Sequence, residues 1–107
     1  MIRQPEFVDH ELFRWATNEL MRKKQELAIE KARFEAFTEG LCVQIMHIGP
    51  YSTEPETMKK VEAFLFEHGL KDRLTSGGKH HEIYLSDPRK AKPERMKTVL
   101  RHPVERA

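Results

Sequence analysis

The chain has 107 residues with 19 Lys and Arg against 17 Asp and Glu, so it is long enough for one compact domain and too evenly charged for a nucleic-acid track. Its 34% charged and 38% hydrophobic residues exclude a disordered composition. One cysteine excludes an intrachain disulfide framework, and no apolar run reaches signal-peptide or membrane-span length, so the expected setting is a reducing cytoplasm without membrane contact.

Residues 1–8 read as extended, with Pro5 restraining them. Asp9 is placed to cap a first helix ending near Gln25, in which Leu12, Phe13, Ala16 and Leu20 recur at three- and four-residue spacing as a buried stripe. Trp15 lies off the centre of that stripe, at the edge of the core or as an aromatic wall facing something else. Arg22, Lys23 and Lys24 sit between Glu19 and Glu26 and read as a solvated helix face. Phe34, Ala36 and Phe37 suggest a strand over Ala32–Thr38, and Glu39-Gly40 a tight connection. The nearly continuous apolar run Leu41–Ile48 suggests a central strand covered on both faces, hairpinned to the strand before it. Within it, Cys42 reads as a small buried hydrophobe and not as a nucleophile.

Gly49-Pro50-Tyr51-Ser52 is a loop, and Thr53 with Glu56 is a capping-box pattern with Pro55 in the first helical turn. A second helix to about His68 carries Met58, Val61 and Leu65 as its stripe, and Gly69 is its left-handed C-terminal residue. Lys71–Lys79 is expected to be a mobile loop, His80–Ser86 a strand and Met96–Val104 a last strand. The fold class is therefore α+β: an antiparallel sheet with helices on one face, in a strand-helix-strand-strand module over 41–104, preceded by a helix and strand within 1–40. The sheet's other face is left open and calls for a partner.

Strand alternation splits His80–Leu85 into two faces. Ile83 and Leu85 are expected against the helix, and His80, Glu82 and Tyr84 on the open face. A carboxylate beside aromatic rings attracts cationic or polarised ligands, and desolvation raises its pKa towards a range useful for proton transfer. The competing reading is that Glu82 is a wetted residue of a half-exposed sheet. Adjacent His80 and His81 point to opposite faces and cannot share one metal ion, so no metal site is assigned. His47 and His68 read as isolated structural histidines, and Gly77-Gly78 is too short for a phosphate loop.

The runs Met46-His47-Ile48-Gly49-Pro50-Tyr51, Glu54-Pro55, His80-His81-Glu82-Ile83-Tyr84-Leu85-Ser86-Asp87-Pro88-Arg89 and Lys97-Thr98-Val99-Leu100-Arg101 resemble the GyrI-like small-molecule-binding family, and the likeness extends to Pro5–Val8 and Phe34–Gly40. The resemblance implies two strand-helix-strand-strand (SHS2) modules flanking a cleft for drug-like, often cationic molecules. It also implies a glutamate at the cleft floor, matched by Glu82, and aromatic walls, for which Tyr84, Tyr51 and Trp15 are candidates. Some stand-alone members resemble hydrolases that open the cyclopropane of DNA-alkylating compounds, in which case Glu82 is the catalytic candidate. This chain matches only the second module, so it is either a truncated product or one of two copies that pair to rebuild the double module; the open sheet face favours pairing, and homodimerisation is expected to complete the cleft. The resemblance implies no cofactor. A protein-interaction module using the open sheet face is the third reading.

Overall fold

The computed structural model describes residues 1–24 and 28–107, and the chain divides into two compact units, residues 1–37 and 38–107. In the first, α1 spans His10–Lys23, and the Asp9 carboxylate caps it by accepting from the Leu12 N–H at 2.8 Å. The expected helix end near Gln25 lies outside the described residues; the Lys24 N–H closes the last described turn on the Leu20 carbonyl. The stripe expected to be buried is not: Phe13 and Ala16 are half-buried, Leu12 and Leu20 are exposed, and no residue of α1 is fully buried. A segment this short cannot enclose a helix face with its own residues.

No strand forms over Ala32–Thr38, which also removes the expected hairpin with Leu41–Ile48. Phe34 instead stacks on Phe13 of α1 at 5.6 Å and meets His10 edge-on at 4.9 Å. Aromatic packing on the helix replaces an extended strand pairing.

The second unit contains β1 (Cys42–Ile48), α2 (Glu54–Glu67), β2 (Leu70–Asp72), β3 (His81–Tyr84) and β4 (Lys97–Arg106). All described pairings are antiparallel and all use β4. β1 lies along one edge of β4. β3 and β2 follow one another on its other edge, opposite residues 98–101 and 104–106. Pro103 falls in the interval between them, where a missing N–H breaks no ladder bond, and its carbonyl accepts from the Arg73 N–H at 2.8 Å. β2 corrects the expected mobile loop over Lys71–Lys79. Pairing with the end of β4 recruits a segment that has no apolar alternation of its own.

Val61 and Leu65 of α2 close the core with Val104, and Val43, Ile45, Met58 and Leu70 pack against them. The helix stripe is as the spacing predicts, and Gly69 takes φ +64° at the helix end. β1 is not covered on both faces, because α2 covers one side only. Gln44, Met46 and Ile48 are exposed, and Cys42 is half-buried.

The 73–78 turn folds back on β4, with the Gly78 N–H on the Arg73 carbonyl at 2.8 Å. A Cβ on Gly78 would lie 2.6 Å from Pro103 Cγ and 2.8 Å from the Arg73 oxygen. Gly78→Ala is therefore expected to destabilise the domain by about 1–3 kcal/mol, as other overpacked sites do. A melting curve checks this, and an unchanged Tm would refute the close packing.

Candidate functional site

Register decides which side chains meet. Ile45 pairs with Leu100 and Leu100 with Glu82; His47 pairs with Thr98 and Thr98 with Tyr84. Paired residues share a face, so Glu82 and Tyr84 lie on the α2 side of the sheet with Ile45 and His47. This corrects the expected open-face position. Ile83 and Leu85 are the ones that turn away from α2, and Leu85 is exposed. Edge strand β3 lies beside the helix-covered core, so its helix-side face is free to be polar.

The start of α2 reaches this face. Thr53 does not form the expected capping box. Its hydroxyl donates to the Pro50 carbonyl at 2.9 Å and lies 3.3 Å from His47 Nε2. His47, only 3% exposed, donates from Nε2 to the same carbonyl at 2.9 Å, which leaves Nδ1 to accept from the Thr57 hydroxyl at 2.6 Å. The histidine thus pins the end of β1, the 50–53 turn and the first turn of α2 together, a structural role.

Glu54, the first residue of α2, is set against Glu82, and the two carboxyl groups hydrogen-bond to each other. A bond between two carboxyls requires one proton. Burial is the main cause that pushes Glu54 above the usual carboxyl range, followed by its bond to Glu82. Glu82 is held below that range, first by the bond from Glu54 and then by the bond from His80. Its remaining contacts are donors: Tyr84 Oη gives to Oε2 at 2.8 Å and His80 Nε2 to Oε1 at 3.1 Å. The proton therefore rests on Glu54, and Glu82 carries the charge.

The start of a helix favours an anion by about 0.3–1 kcal/mol. Two ionised carboxylates about 4 Å apart repel by about 4 kcal/mol at the effective dielectric of a protein surface. Repulsion outweighs the helix-start preference, in keeping with a Glu54 pKa raised above the usual carboxyl range.

Behind Glu82, His80 Nδ1 bonds to His102 Nε2. His102 is buried, and its pKa is lowered by that burial and then by His80. It stays neutral and donates to His80. In front, Tyr51 and Tyr84 meet at 62° with ring centroids 5.6 Å apart, and both rings are exposed. Hydrogen bonding to Glu82 raises the Tyr84 pKa and keeps the phenol protonated.

The GyrI-like small molecule binding domain family matches residues 9–105. The chain belongs to that family. A comparison with curated proteins finds no match. Among solved structures the chain is similar to a hydrolase from Listeria innocua, at 45% identity and TM-score 0.89 over 96% of this chain and 52% of that one. An uncharacterised conserved protein from the same organism is also 45% identical, with TM-score 0.87 over 96% of this chain and 50% of that one. This GyrI-like chain spans about half the length of the structures it matches.

Of the residues singled out in the sequence, Glu82, Tyr84 and Tyr51 come together, while Trp15 lies on α1 in the other unit, its ring exposed. Sequence reading missed Glu54 and His102. An acid at a helix start beside Pro55 looks like an ordinary first-turn charge. Only the register of β4 places His102 behind His80.

Removing the Tyr84 hydroxyl takes one donor from ionised Glu82. In Tyr84→Phe, carbon-13 NMR is expected to find Glu82 titrating at higher pH than in the wild type. A midpoint that stays put or falls would remove Tyr84 from the network.

Proposed function

We propose that this GyrI-like domain binds drug-like, lipophilic cations at Glu82, and that two copies pair through the sheet face that α2 leaves uncovered. The supporting observation is a single ionised carboxylate bordered by two exposed tyrosine rings. Of the two carboxyls, Glu82 is the one held ionised and so the one that presents charge to an arriving cation. The rings add cation–π attraction of about 0.5–2 kcal/mol and apolar area. Pairing is supported by exposed Met46, Ile48 and Leu85, apolar residues on the sheet side that α2 does not cover.

Tetraphenylphosphonium, compared with neutral triphenylphosphine oxide, tests the charge. The cation is expected to bind more tightly. Glu82→Gln is expected to lose about tenfold or more for the cation and little for the oxide, the size of one charge-assisted contact. Equal losses for both would remove Glu82 as the anionic anchor. Light scattering is expected to give the mass of a dimer, and a monomer that still binds the cation would refute pairing.

The acid beside the base favours a second reading, a hydrolase of cyclopropane-bearing alkylating compounds, in line with the hydrolase among the similar structures. Glu54 would protonate the carbonyl oxygen conjugated to the ring as the strained C–C bond breaks. Water would add to the freed carbon and give its proton to Glu82. Hydrated product formed faster than in buffer supports this reading, and the buffer rate alone would refute it.

A further inference from the structure

Glu54 has a consequence beyond cation binding. Its Oε1 is buried and has no donor among the described residues. The carboxyl faces Glu82 of β3, and the other charged or titratable groups around the pair are His47 of β1, His80 before β3, Tyr84 of β3 and Tyr51 of the turn before α2. His102 of β4 lies behind His80. Among these named groups no lysine or arginine balances a second negative charge. Two carboxyls in contact in that surrounding are poised to share one proton, with no lysine or arginine among these groups to supply a balancing positive charge. A ligand cation seated at Glu82 would supply it.

We propose that Glu54 holds a proton against Glu82 before ligand binds and releases it to solvent when a lipophilic monocation arrives, so that cation uptake is coupled to proton release. The inference rests on the cation-binding reading above. The exchange balances: the cation enters, the proton leaves the Glu54 carboxyl for bulk buffer, and Glu54 becomes a second anionic contact to the ligand. Affinity then rises with pH while Glu54 is the group giving up its proton. The contribution of Glu54 must be isolated from any effect of the neighbouring His47, His80 and His102.

Glu54→Gln isolates it, because the amide copies the protonated carboxyl, can still donate to Glu82, and leaves every histidine in place. Tetraphenylphosphonium affinity is measured for both proteins from about pH 5 to about pH 9, the span in which raised carboxyl groups titrate. One exchanged proton corresponds to at most about a tenfold change in affinity per pH unit. The wild type is expected to show the steeper rise, with Glu54→Gln retaining affinity at low pH and falling behind as pH increases. Parallel profiles would overturn proton exchange and leave cation binding standing. No binding by either protein would overturn both. Should Glu54→Gln fail to fold, calorimetry of the wild type in phosphate and in Tris reads the same event. Heats that differ with buffer, in the direction of proton release, support the exchange, and buffer-independent heats would overturn it.

Discussion

Leu100 is the residue on which this arrangement turns. It is 1% exposed at the middle of β4, with Ile45 of β1 on one side and Glu82 of β3 on the other. β4 is the partner of every other described strand, so its register sets the face of each of them. With Leu100 pointing towards α2, Ile45 must point there too, and so must Glu82. One side of that row is closed by α2 and becomes core. The other side runs out beyond the helix, where a carboxylate can keep contact with water. The same hydrogen-bond ladder thus builds a hydrophobic core and an acidic site within three residues across the sheet.

The site depends on the core in a second way. α2 is fixed over the sheet by Val61 and Leu65, and its first turn is tied to β1 through His47 and Thr57. Glu54 precedes Thr57 by less than one turn, so those ties also set where its carboxyl sits. A free surface glutamate would swing away from Glu82 and ionise. Held at the start of a pinned helix, it stays in contact and retains a proton. Packing energy spent elsewhere keeps two like groups together, and that constraint gives Glu54 and Glu82 opposite protonation at the same pH.

The sequence carried the pieces of this site unevenly. Glu82 and Tyr84 are two residues apart in a strand, so their common face follows from alternation alone. Which face they take does not, since alternation is symmetric and the usual tie-breaker is that apolar residues face the helix. That rule fails for β3 because Ile83 and Leu85 belong to an edge strand outside the helix's cover. The missing first hairpin has a related cause: β1 satisfies its pairing with β4, about fifty residues later, and Phe34 finds its partners on α1. Helix α2, with its regular stripe and terminal Gly69, was legible because its signals are local. Glu54, His47 and His102 acquire their roles through contacts between distant segments, and no local pattern marks them.

The apolar residues displaced from the helix side also bear on assembly. Turning Ile83 and Leu85 away from α2 gathers them with Met46, Ile48 and Val99 on the opposite face. A face of that kind, next to polar Gln44 and Arg101, is costly to leave in water and has the composition of a small interface. The swap of faces in β3 therefore does two things at once. It brings a charged side chain to the start of α2, and it moves apolar area to the side where a second module could cover it. A site that sets a carboxyl of β3 against one of α2, and an interface on the reverse of the same strands, are two results of one register.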